Sequence, residues 1–113
     1  MKSELQPGLS HVVHSVVAPD MAIDFLGGGV TPTLSSPAMI MQMERAARLL
    51  LEPYLDEGEG SVGVIVNVRH LSPTPLGMAI SARATLTHVE GRRCSFAIEC
   101  HDEREKVGEG EHE

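Results

Sequence analysis

Three side chains in this sequence combine a reactive type with a setting that could use it: Ser36, Glu44 and His70. Glu44 lies in a segment that reads as a helix from Ser36 to Leu51. A serine stands as N-cap before Pro37, good helix formers follow, and Pro53 ends the run. At about 100° per residue, Met39, Ile40, Met43, Ala46, Ala47, Leu50 and Leu51 share one side, with Gln42, Arg45, Arg48 and Glu52 opposite. Glu44 falls at the edge of the apolar stripe, where loss of water suits a carboxylate to act as base or nucleophile. An ion pair with Arg48, one turn on, is the plainer account, and spacing alone favours it.

His70 continues the alternating row Val62, Val64, Val66 and Val68, so a valine face expected to meet the helix ends in an imidazole just before Pro73. A group that titrates near neutrality at the rim of a core can move protons. A strand-end histidine facing solvent fits the same spacing. Ser36 caps the helix in this reading, and a hydroxyl beside free helix N–H groups can also polarise a carbonyl. No nucleophile-elbow glycines flank it, which argues against a serine hydrolase.

These groups need elements to hold them. Residues 8 to 18 are valine-rich and end at Pro19-Asp20, reading as a first strand. Residues 24 to 36, with three consecutive glycines and Pro32, read as a mobile loop. Residues 61 to 71 alternate as a strand, and a break carrying Pro73 and Pro75 follows. Residues 78 to 89 put Ile80, Ala82, Ala84 and Leu86 on one face. Residues 92 to 101 do the same with Cys94, Phe96, Ile98 and Cys100, before a short final segment from Val107. One helix covers only one face of such a sheet, so an α+β fold with an antiparallel sheet wrapped around the helix is expected, its free face meeting a second copy.

Composition narrows the chemistry. With 113 residues the chain is one domain, 1–113. Sixteen acidic residues against nine basic ones, a formal charge of −7 and an aromatic content of 3% leave little with which to bind phosphate backbones or stack bases. No nucleic-acid partner is expected. No apolar run approaches the ~20 residues of a membrane span, and the N-terminus lacks a signal-peptide core, so a cytoplasmic protein without membrane association is expected. Cys94 and Cys100 lie roughly 20 Å apart at strand rise and cannot pair within one strand. His11 and His14 fall on opposite strand faces, and no metal site is expected.

Three stretches, LEPYLDEGEGSVG (51 to 63), VRHLSPTPLG (68 to 77) and THVEGRRCSF (87 to 96), resemble the fluoroacetyl-CoA thioesterase-like branch of the hotdog-fold thioesterases. The resemblance runs from Ser36 to Glu113 without a gap. It implies a hotdog fold paired into a homodimer, with no cofactor and a CoA thioester as substrate. The family's catalytic threonine, glutamate and histidine fall on Ser36, Glu44 and His70, and the glycine whose N–H meets the thioester carbonyl falls on Gly63. The resemblance reverses the reading of Glu44. Serine at 36 keeps the family's hydroxyl without its β-methyl. Of an aromatic lid linked to fluoroacetyl selectivity only Phe25 stands in the loop, so fluoroacetyl selectivity is not expected. The family continues beyond the equivalent of Glu113 with a substrate-contacting arginine, so the C-terminal strand is expected to be incomplete.

The expected activity is hydrolysis of a short-chain acyl-CoA to a carboxylate and free CoA. Glu44 attacks or activates water, His70 assists proton transfer, and Ser36 and Gly63 hold the oxyanion. A general acid at His70 would add an alkaline decline to the acidic one. A non-catalytic acyl-CoA binding module is the alternative, and a purely structural dimer subunit a further one.

Overall fold

In the computed structural model the described residues are 1–24, 29 and 31–113; residues 25–28 and 30, including Phe25 and most of the triple glycine, lie outside them. The expected loop and the aromatic counterpart at Phe25 fall largely there. The described end of that stretch forms a short strand instead. β1 (Ser10–Val16) is followed by β2 (Ala22–Ile23) and β3 (Thr33–Leu34), which pair antiparallel. Leu34 is buried and its N–H donates to the Thr74 carbonyl at 2.8 Å.

Helix α1 spans Ser36–Leu51, and a short 3-10 turn containing Pro53 closes it. Its cap is Ser35, whose hydroxyl accepts the Ala38 N–H at 3.2 Å. Ser36 is therefore the first helical residue and not the N-cap expected of it, which leaves its hydroxyl available elsewhere. Met39, Met43, Ala46, Ala47, Leu50 and Leu51 are buried as the helical spacing requires, with Ile40 half-buried. Each of the larger side chains contributes about 1.5–3 kcal/mol on burial. Gln42, expected on the polar side, is half-buried with its Oε1 inside the protein.

Four strands follow: β4 (Val66–His70), β5 (Ala79–Glu90), β6 (Arg93–Asp102) and β7 (Lys106–His112). They join β1 in one antiparallel sheet of order β1-β5-β6-β7-β4, which wraps around the single helix as a hotdog fold. Ile80, Ala82, Ala84 and Leu86 on β5, and Cys94, Phe96, Ile98 and Cys100 on β6, all face the core. Both cysteines are free thiols, and burial pushes Cys100 up to about 11.

The ends of the sheet depart most from the sequence pattern. The acidic glycine-rich end is an interior strand, β7, between β6 and β4. Its glycines permit close approach: a Cβ at Gly108 would strike the Met39 sulfur at 2.5 Å, and one at Gly110 would collide with the Asn67 carbonyl. β4 is shorter than the expected strand over residues 61 to 71, because its register with β7 begins at Val66↔His112. Beyond it, the Val64 and Ile65 N–H groups donate to the Glu113 carbonyl. The valine row does not meet the helix. Val62, Val64 and Val66 are 83%, 63% and 43% exposed, and only Val68 packs against the core.

Candidate functional site

The end of β4 and the start of α1 bring two of the candidate side chains together. The Ser36 Oγ lies 2.8 Å from His70 Nδ1, in a hydrogen bond whose direction follows the ring tautomer. This contact exists because Ser35, not Ser36, caps the helix. Burial pushes the His70 pKa below its ordinary value, an effect that the nearby Ser72 backbone carbonyl opposes. The ring is therefore uncharged at neutral pH, and its Nε2 is buried without a partner among the described residues.

The other two candidates meet at a second place. A Cβ built on Gly63 would stand 2.8 Å from Glu44 Oε1, so the carboxylate lies against the Gly63 backbone. The Gly63 N–H has no hydrogen-bond partner among the described residues. Glu44 makes no ion pair with Arg48, so the plainer account of its position is not what the structure contains. Its own chain leaves it exposed.

Glu44 and Gly63 line a cavity of about 700 Å³ between the C-terminal half of α1, residues 60–65 and the ends of β6 and β7; Ser36 and His70 do not line it. Eight residues of helix separate Ser36 from Glu44, roughly 12 Å of rise. No hydrogen bond or ion pair joins the two pairs. One chain thus holds two half-constellations, a hydroxyl–imidazole pair and a carboxylate with a backbone N–H.

Two residues of the cavity went unread in the sequence. Gln42 lines it with a buried Oε1 and His112 with a buried Nε2, neither of which has a hydrogen-bond partner among the described residues. His112 hides in an acidic, glycine-rich end, and its only signal is the period-two spacing Gly108, Gly110, His112. Among the described residues no three His, Cys, Asp or Glu side chains gather to hold a metal ion, and no helix is long and apolar enough to cross a membrane.

Two expected results follow from this geometry. Gly63→Ala must displace the Glu44 carboxylate, a flexible group, so unfolding free energy should change by less than about 0.5 kcal/mol while turnover falls tenfold or more. Unchanged turnover would separate Gly63 from the reaction. His112 supplies the second. Burial lowers its pKa from 6.5, with the Glu44 charge opposing, so on acidification the unfolded chain takes up this proton first. Its contribution to stability is complete above 6.5 and is lost as pH falls through the folded value, at no more than about 1.4 kcal/mol per pH unit. Urea midpoints from pH 7 to 5 should fall less steeply for His112→Phe than for wild type; equal slopes would contradict a neutral buried imidazole.

The chain is similar in sequence and fold to known proteins. The fluoroacetyl-CoA thioesterase of Streptantibioticus cattleyicolor is 41% identical over 75 residues, 66% of this chain and 54% of that protein, so the chain spans about half the length of this relative. The crystal structure of a threonine-to-serine mutant of the fluoroacetyl-CoA thioesterase FlK in complex with acetyl-CoA superposes with a TM-score of 0.87 at 32% identity, covering 96% of this chain and 86% of that one. A hot-dog-like protein from Thermanaerovibrio acidaminovorans gives 0.84 at 25% identity, covering 94% and 78%. The family model described as fluoroacetyl-CoA-specific thioesterase matches residues 17–113, a span that takes in α1, β4 to β7 and both half-constellations. By that match, the chain belongs to the fluoroacetyl-CoA-specific thioesterase family.

Proposed function

We propose that this protein is a cytoplasmic homodimer that hydrolyses short-chain acyl-CoA thioesters to a carboxylate and free CoA. Each site takes Glu44 and Gly63 from one copy and Ser36 and His70 from the other. The observation that supports this reading is the separation of the two pairs along α1, with Glu44 and Gly63 lining the cavity and Ser36 and His70 outside it. β4 is an edge strand, and the exposed Val62, Val64, Ile65 and Val66 beside it form an apolar strip suited to a second copy.

In the assembled site the Glu44 carboxylate attacks the thioester carbon, or takes a proton from a water that does so. The Gly63 N–H and the Ser36 hydroxyl hydrogen-bond the oxyanion that forms. Its collapse breaks the C–S bond and releases the CoA thiolate; where Glu44 attacked, water then cleaves the resulting anhydride to free the carboxylate, and in either route the thiolate takes up the proton that the water gives up. His70, uncharged and bonded to Ser36, orients that hydroxyl and assists the proton's movement. Labelled water in a single turnover separates the two routes, since only attack by Glu44 places solvent oxygen in the enzyme carboxylate.

Thiol release from acetyl-CoA tests the activity. Binding of CoA esters with no release above background would make this a binding module instead. Sedimentation should show a species of about twice the 12.2 kDa chain mass at micromolar concentration, and a 12.2 kDa species alone would contradict the dimer.

A further inference from the structure

The proline-containing break between β4 and β5 carries a buried polar node. Thr74 is fully buried, and its hydroxyl donates to Asp102 Oδ2 at 3.2 Å. The Asp102 side chain is itself fully covered, and its Oδ1 accepts the Arg104 and Glu105 N–H groups at 2.7 and 2.9 Å. Taking a carboxylate out of water is costly. The β6–β7 turn does not account for that cost on both oxygens, since Oδ1 and a backbone bond from the Asp102 N–H to the Glu105 carbonyl, 3.0 Å, already close it. Oδ2 faces the break instead. It meets Thr74, 28 residues earlier in the chain, and the Arg104 guanidinium at 3.6 Å, which also donates to the Pro73 carbonyl at 3.4 Å.

What this node holds is the frame of the Ser36–His70 pair. Thr74 follows His70 by four residues, and its carbonyl accepts, at 2.8 Å, the N–H of Leu34, two residues before Ser36. A closed ring results. Residues 34–36 lead from Thr74 to the Ser36 hydroxyl, the 2.8 Å hydrogen bond crosses to His70 Nδ1, and residues 70–74 return. Beside His70 the ring is fastened by the Leu71 N–H, which donates to the Val107 carbonyl at 2.8 Å. Its far corner is Thr74, and Asp102 fastens that corner. The Ser36–His70 bond itself is exposed, so water competes for both groups and the frame has to supply their alignment.

We infer that Asp102, acting through Thr74, is a positioning residue for the reaction: it fixes the ring that holds the Ser36 hydroxyl on His70. This rests on the hydrolase reading and adds to it two residues outside the reacting groups. A carboxylate suits the place because, covered from water, it accepts stronger hydrogen bonds than a neutral oxygen does, and its two oxygens serve the turn and the break at once. Misplacing a reacting group by about 1 Å costs up to about a hundredfold in rate, which is what a fixed corner guards against.

Thr74→Val keeps the shape of the side chain and removes its donor. It should lower kcat for acetyl-CoA by about tenfold or more with KM within about twofold, and Thr74→Ser, which restores the hydroxyl, should recover most of the rate. Repeating Thr74→Val in a Ser36→Ala chain separates positioning from general damage. With no hydroxyl left to position, the loss there should be less than about twofold, and the same loss in both backgrounds would overturn the inference. The NMR resonance of His70 Nδ1 reads the frame without turnover, because it responds to a hydrogen bond at that nitrogen. In Thr74→Val it should move toward its position in Ser36→Ala, and a resonance that stayed at the wild-type position would overturn the inference. Thr74→Ala, which leaves room for a water on Asp102, takes the place of a valine variant that does not fold, with the same two outcomes. If the wild type releases no thiol from acetyl-CoA, the hydrolase reading fails, and the resonance alone decides whether Asp102 and Thr74 hold Ser36 on His70.

Discussion

Glu44→Gln should reduce thiol release from acetyl-CoA by about a thousandfold or more while CoA-ester binding stays within about twofold. The two side chains have nearly the same shape, so the cavity and the contact with Gly63 persist. The amide, however, can neither attack a carbonyl nor take a proton from water. Because Glu44 is exposed and makes no ion pair with a described residue, the loss cannot be traced to a broken structural contact. Unfolding curves should superimpose on wild type. A variant that kept most of its rate would remove Glu44 from the chemistry.

The pH profile should have one limb, not two. Burial holds His70 below its ordinary 6.5, so an imidazolium able to donate a proton is scarce at neutral pH and above. The alkaline decline expected from a general acid at His70 therefore drops out of the working range. On acidification His70 takes up a proton and can no longer accept from the Ser36 hydroxyl at Nδ1. Activity should rise through the acidic range to a plateau above neutrality. His70→Asn keeps a hydrogen-bonding partner for Ser36 but cannot titrate. It should lower the plateau by about a hundredfold and remove the part of the acidic decline that His70 causes. An alkaline decline in wild type that vanished in His70→Asn would show that the histidine works as a charged acid.

Much of this fold was legible because buried faces impose a period. The helix stripe from Met39 to Leu51 and the alternation on β5 and β6 are buried as their spacing requires. Where the pattern misled, the cause was physical. Ser35 and Ser36 are both competent caps, and composition cannot say which one turns its hydroxyl to the Ala38 N–H. The alternation of Val62, Val64 and Val66 marks a face to be covered without saying what covers it, and among the described residues of one chain nothing does. His112 sits among charged and glycine residues that resemble a solvated tail, because the close packing of β7 on Met39 and Asn67 demands glycine and so erases the hydrophobic signal. Ser36, Glu44 and His70 were legible as candidates from residue type and setting, whereas Gly63 and the choice of these residues together came from family resemblance. Their division into two pairs is the proposed arrangement, supported by the helix rise between Ser36 and Glu44 and by a cavity that Glu44 and Gly63 line and Ser36 and His70 do not.

That division is tested most directly by mixing two inactive proteins. Glu44→Gln and His70→Asn chains, co-refolded in equal amounts, form mixed dimers in half of the population. In each mixed dimer one site carries both substitutions and the other carries neither. Acetyl-CoA hydrolysis should recover to about one quarter of the wild-type rate, although neither parent alone exceeds a few per cent. If each site were complete within one chain, every site in the mixture would carry one lesion, and a mixture no more active than the average of its parents would contradict a shared site.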